Sequence, residues 1–307
     1  MLQAIVSVLV ATLRTSFPLL VPSLGEAVSE RSGVLNIGIE GYMLMGAVSS
    51  YLVAVTTGDL WLGIVMGMLA GMALSLVHAY LSITLKANQI VSGIAIWLFS
   101  MGFSTFIFRT VGIEASIEGF LPIYVPVLSE IPIVGPILFQ QNVLFYISLL
   151  LIFVFTIILF RTPFGLTVRA VGENPLAVDM GGHNVYLIRY ASVLICGAMA
   201  GLGGAYLPLA ILRRFSENMT AGRGFIALCI VIFGGWSPWP MLGGSLLFAG
   251  ADALQMRMQA AGVPVPAPLL LMLPYVVTII ILVGVIGVIR KITPPRKLAI
   301  PYIKGEA

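Results

Sequence analysis

Apolar residues in this chain come in long unbroken runs, not in alternating or one-sided patterns, and these runs set the elements. A helix crosses about 30 Å of hydrocarbon with about 20 mostly apolar residues. By that measure, spans are predicted near 3–22, 35–56, 60–85, 90–109, 142–160 and 190–211. The last third is more broken, with runs at 224–234, 240–258 and 269–290 and the sequence GGWSPWP near 234–240. The run 224–234 is short for a full crossing. A tilted or re-entrant helix is expected there, allowed only where neighbouring protein satisfies its free backbone groups. The predicted fold is an all-α polytopic membrane protein, a single transmembrane domain over 1–307 with about eight or nine membrane helices.

Polar positions give the orientation. Arg161, Arg169 and Arg189 bracket a long polar segment at 161–189, and Arg290, Lys291, Arg296 and Lys297 crowd the tail at 291–307 and its approach. Positive residues favour the cytoplasmic side. Placing both groups there puts Arg31 and Lys86 inside and the N-terminus outside. Arg109, Arg213, Arg214 and Arg223 then fall outside. Residues 110–141 become an external loop, where Glu114, Glu118 and Glu130 lie among Pro122, Pro126, Pro132 and Pro136. Proline at this density forbids a long helix and predicts short extended or interfacial pieces.

Composition agrees. The chain is 59% hydrophobic and 9% charged, with a mean hydropathy of +1.07, whereas a soluble domain carries roughly 25% charged residues. The net charge of +4 is explained by inside loops, and no basic stripe with interleaved aromatics suggests nucleic acid. Cys196 and Cys229 each sit in an apolar run and read as packed thiols. The N-terminus lacks a basic leader and cleavage site, so it reads as a retained first span. Gly63, Gly67 and Gly71, and the pair Gly197 and Gly201, have the four-residue spacing that lets helix backbones touch. Packing inside one subunit and a subunit seam are both open readings.

Two stretches carry candidate chemistry. In 161–189, Asn174 is a good helix cap, Pro175 suits the first helical position, and Gly181 and Gly182 are terminators. A short helix near 175–180 follows, on a connector longer than two spans require. It reads either as a surface to be gripped by a partner or as a solvated loop. In 26–40, Glu26, Glu30, Arg31, Asn36 and Glu40 approach or enter an apolar helix, with Gly33, Gly38 and Gly41 allowing a break. Intramembrane ionisable groups usually face protein or a wet path. One reading is a structural cluster in which Arg31 pairs with Glu26 or Glu30. The other puts Asn36 and Glu40 on a translocation route, with Asn88 and Gln89 at its inner mouth or capping the helix at 90.

The segments FGLTVRAVGENPLAVDMGG and GAMAGLGGAYL resemble the coupling segment and following helix of permeases in the ribose and branched-chain amino acid importer superfamily. SERSGVLNIGIEGYMLMGA and GRGFIALCIVIFGGWSPWP narrow the resemblance to the shorter of two permeases in bacterial nucleoside importers that use a Bmp-type binding lipoprotein. The likeness runs from about residue 15 to 290. Val178 and Gly182–His183–Asn184 depart from the family pattern. The resemblance implies a plasma-membrane location and a coupling helix at 174–181 docking on a separate ATP-binding subunit. Arg169, Glu173, Asn174, Pro175 and Asp179 are the expected contacts. It also implies a second, longer permease subunit, a binding lipoprotein outside and surrounding lipid. Arg213, Arg214 and Arg223, as external positives, read either as a docking surface for acidic residues of such a binding protein or as partners of Glu217 or lipid headgroups. ATP and magnesium would belong to the partner ATPase. No Gly-Lys pair occurs, so no P-loop can form in this chain, and a transporter subunit without its own enzyme activity or cofactor is expected. The cargo implied is a nucleoside, with a simple sugar or an ion-coupled transport mode as alternatives.

Overall fold

The structure is a computed structural model that describes residues 2–304 apart from 114, 263–264, 275, 278 and 281–292. Glu114, Arg290, Lys291 and most of the predicted helix 269–290 lie outside the described residues. The long helices are α1 (Leu2–Arg31), α2 (Ile39–Thr57), α3 (Leu60–Ala79), α4 (Gln89–Val111), α6 (Val143–Arg161), α9 (Val185–Tyr206) and α11 (Pro238–Ala260). Shorter ones are α5 (Val134–Leu138), α7 (Pro163–Glu173), α8 (Pro175–Met180), α10 (Arg223–Phe233) and α12 (Ala267–Leu271). Two helices end in a π-turn, α3 through Tyr80–Thr84 and α9 through Leu207–Leu212. Among the described residues, six helices are long and apolar enough to cross a membrane. The protein is a multi-pass membrane protein.

Burial separates the core from the periphery. The spans of α2 and α9 are 72% and 78% buried, whereas those of α3 and α4 are each 28% buried and that of α6 is 33%. A helix apolar all round either sits inside the protein or turns a face to lipid. Here α2 and α9 take the first course, and α3, α4 and α6 take the second. Glycines set how closely the core packs. A side chain at Gly71 would strike the carbonyl of Gly197, and one at Gly201 the carbonyl of Gly67, so α3 and α9 touch backbone to backbone. The glycine stripe is therefore used within this chain.

Several predicted boundaries move. α1 does not stop near residue 22 but continues through Pro18 and Pro22 to Arg31. A proline removes one helical hydrogen bond, yet the tight seat of Pro22 against Gly203 of α9 holds the helix together. α2 starts at Ile39, later than the expected 35, because residues 32–38 are not helical. These residues fold back beside α1, where the Asn36 amide donates to Glu26 Oε1 at 3.0 Å. The run 224–234 is a half-length helix as expected. The eleven residues of α10 rise about 16 Å, half of a bilayer core. The segment 161–189 holds two helices where one was expected. The missed helix, α7, is capped by Thr162, whose hydroxyl accepts from Gly165 N at 3.1 Å, with Pro163 at its first position. The proline-rich segment 110–141 has, among its described residues, the expected extended stretches, a short 3-10 turn at Leu128–Glu130 and the one-turn α5.

Candidate translocation and coupling sites

Near the middle of the fold two chain breaks meet. Residues 32–38 lead into α2, and residues 213–222 turn back into the fold to start α10. Glu40, in the first turn of α2, is buried and accepts from Thr220 Oγ1 at 2.6 Å, Gly222 N at 2.8 Å and Gly224 N at 2.6 Å. A carboxylate at a helix N-terminus satisfies amides that have no partner in the helix and meets the positive end of its dipole. Gly222, at φ +83°, turns its amide toward this carboxylate, and Gly224 packs on the Glu40 backbone with no room for a side chain. Asn36 is equally enclosed. Its Oδ1 accepts from the Tyr42 hydroxyl at 2.7 Å, and Glu26 Oε2 accepts from the Cys196 thiol at 3.0 Å. Both proposed route residues are buried and hydrogen-bonded within this chain. The structural reading of this stretch describes their geometry.

The expected ion pair of Arg31 with Glu26 or Glu30 is not formed. Arg31 Nη2 donates to Gly235 O at 3.3 Å, and the Trp236 indole donates to Glu30 Oε2 at 2.5 Å. The carboxylates turn away because polar hydrogen supplied by the GGW turn and by residues 36 and 196 reaches them first. At the same end, Asn88 caps α4, accepting from Ile90 N at 3.0 Å and Val91 N at 3.1 Å. Gln89 Oε1 accepts from Leu35 N at 2.8 Å while its buried Nε2 has no hydrogen-bond partner among the described residues.

The three arginines assigned to a binding protein part company. Arg213 and Arg214 are exposed. Glu217, which could have neutralised them, instead takes a bidentate pair from Arg109 at 2.6 and 3.0 Å. That hydrogen bond holds the Glu217 carboxyl below its ordinary range. Arg223 is not on the outer surface. It sits at the start of α10, donates to Thr220 O at 3.1 Å and pairs with Asp252 of α11 at 3.2 Å. Re-entry of residues 213–222 carries it into the fold, which counts against a docking role.

The coupling residues gather at the end of the molecule that also holds Arg31 and the tail. Asn174 Oδ1 accepts from Ala177 N at 3.1 Å and caps α8, with Pro175 buried at its first position. Arg169 lies over the Phe160 ring at 5.1 Å. Glu173 and Asp179 face Arg296 and Lys304 of the tail, each at 3.8 Å. The tail packs firmly: Lys297 N donates to Gly172 O at 2.9 Å and Ala299 N to Gly33 O at 3.1 Å. Arg189, expected in an inside loop, is instead buried in the first turns of α9. It donates to Ser32 O and to Ile300 O, both at 3.1 Å. Beside α8, Leu166, Met180 and Leu187 are 62%, 81% and 67% exposed. Sequence reasoning missed Arg189 and the tail, since nothing local marks a residue whose partners are more than a hundred positions away.

The described residues form a helical membrane bundle with one half-length helix, α10, and a capped two-helix segment at one end. The family described as "Branched-chain amino acid transport system / permease component" matches residues 8–282, and the chain belongs to it. It is thus an ABC transporter permease subunit, a class that is not itself enzymatic. The chain is 39% identical to the guanosine ABC transporter permease protein NupQ of Bacillus subtilis over 98% of each chain. It is 38% identical to the nucleoside ABC transporter permease protein NupC of Lactococcus lactis over 95% of each. A putative glucose ABC transporter permease protein, TsgC13 of Haloferax volcanii, is 42% identical over 81% of this chain and 77% of its own. No solved structure matches the chain.

Proposed function

We propose that this chain carries nucleosides inward as the shorter of two permease subunits of an ABC importer. Near full-length identity to permeases named for guanosine and nucleosides supports this cargo over glucose, whose named relative aligns over less of the chain. A binding lipoprotein delivers the solute to the face bearing Arg213 and Arg214, and a separate ATPase, holding ATP and magnesium, drives the cycle from the cytoplasmic face. The N-terminus is outside and the C-terminal tail inside.

The observation that carries this reading is the α7–α8 segment. α8 is capped, braced by α7 and the tail, and flanked by the exposed apolar side chains Leu166, Met180 and Leu187. Large apolar side chains left exposed on three successive helices of a polar segment suit a partner surface. Docking of the ATPase there buries them, with Arg169, Glu173 and Asp179 at the polar rim. Uptake of labelled guanosine into cells should survive an ionophore and stop when ATP is depleted. The opposite pattern would replace this reading with ion-coupled transport.

A further inference from the structure

One cavity lies between α1, the start of α10 and α11, beside the two chain breaks and away from the exposed Arg213 and Arg214. It encloses about 300 Å³ and is lined by Leu19, Ile226 and Phe248 on its apolar side and by Arg223, Asp252 and Gln255 on its polar side. That volume is at the lower end of the roughly 300–1,000 Å³ typical of small-molecule sites.

The polar wall is unusual for a purely structural pair. Arg223 is fixed by its bonds to Thr220 O and Asp252 Oδ2, yet the two side chains remain 21% and 26% exposed. Asp252 Oδ1 accepts no hydrogen bond among the described residues. Gln255, only 5% exposed, makes no side-chain hydrogen bond among them either. Its amide lies three residues along α11 from Asp252, and residues at that spacing share a helix face. Its amide atoms are not among the sealed, partnerless polar atoms of the described residues, and Gln255 lines the cavity, so the amide is open to it. The amide both donates and accepts, and the free carboxylate oxygen accepts. The pair as a whole carries no net charge, so the site suits an uncharged solute over an ion.

We propose that this cavity is a solute-binding station in the permease, taking a neutral molecule with vicinal hydroxyls and a flat polar edge. Hydroxyls donate to Asp252, the polar edge meets the Gln255 amide, and Leu19, Ile226 and Phe248 take the apolar surface. Its place at the start of the short helix α10 agrees with the way transporters build sites from discontinuous helices. The nucleoside identity of this solute rests on the function proposed above, but the station does not.

The test uses the complete complex, with its ATPase and partner permease, in liposomes. Gln255→Cys is made in a Cys229→Ala background and treated with a small polar thiol reagent, alone and with guanosine, ribose or leucine. Labelling that guanosine slows several-fold is the expected result. Protection by ribose but not guanosine would keep the station and overturn the nucleoside reading, whereas protection by leucine would overturn the neutral, hydroxyl-bearing solute proposed for it. A thiol that does not react, or one that no transported solute protects, would overturn the station. In parallel, Gln255→Leu and Asp252→Asn should each raise KM for uptake about tenfold in complexes that assemble normally, the size expected for one lost hydrogen bond. An unchanged KM in both would also sink the proposal.

Discussion

Glu40 is a carboxylate that the sequence marks as costly and the fold makes useful. Its three donors come from residues 220–224, so the first turn of α2 and the start of α10 form a single unit. Removing the acceptor leaves buried amides exposed to nothing, at about 1–3 kcal/mol for each donor left unsatisfied. Glu40→Ala should therefore lower the thermal midpoint of the purified complex clearly, and Glu40→Gln, which keeps an acceptor, should lower it less. Equal losses would show that charge at the helix end matters more than bond count. Gly224→Ala should also destabilise, by about 1–3 kcal/mol of overpacking, because an added methyl meets the Glu40 backbone. Sequence reading singled out Glu40 and Asn36 because charged or amide groups rarely enter an apolar helix. It could not tell a wet path from a satisfied interior, since the deciding partners for Glu40 lie about 180 positions away.

Among elements, the coupling segment was the more legible. The Asn174 cap, the Pro175 start and the glycines after Met180 all stand in the local sequence, and α8 forms where they predict. Asn174→Ala should cost about 1 kcal/mol of helix stability and weaken ATPase binding in a pull-down, with membrane insertion unaffected. Combined Glu173→Ala and Asp179→Ala should reduce assembly further, and unchanged assembly and uptake would move the docking surface elsewhere. α7 was also written locally, in Thr162 and Pro163, but its small and charged residues hide it from a search for apolar runs. α1 runs past the predicted span of 3–22, with Pro18 and Pro22 inside it. Packing of Pro22 against Gly203 overrides the local tendency of proline to break a helix.

For the whole molecule, Arg189 is the buried link between distant parts. One guanidinium joins the chain after α1, through Ser32, to the tail, through Ile300. Gly33, at φ +90°, leaves the room this requires, since a side chain there would meet both Arg189 and Lys297. Arg189→Met keeps much of the apolar stem and loses the bonds. It should free the tail, so that trypsin cuts at Lys297 and Lys304 faster than in the unaltered complex. An unchanged cleavage rate would mean the tail is held by its other contacts, to Gly172, Gly33, Glu173 and Asp179. The sequence by itself determined the solvent, because runs of about 20 apolar residues have only lipid or a protein interior to face. It also determined most span positions, the half-length of α10 and the caps of α8, all of which depend on neighbours within a few residues. Only the tertiary structure decided where the charges went. Arg223 turned inward to Asp252, Arg31 turned from the glutamates to the Gly235 carbonyl, and Arg189 left the loop for the core. In a low-dielectric interior each polar group takes whichever partner the fold brings within about 3 Å, and that distance is not written along the chain.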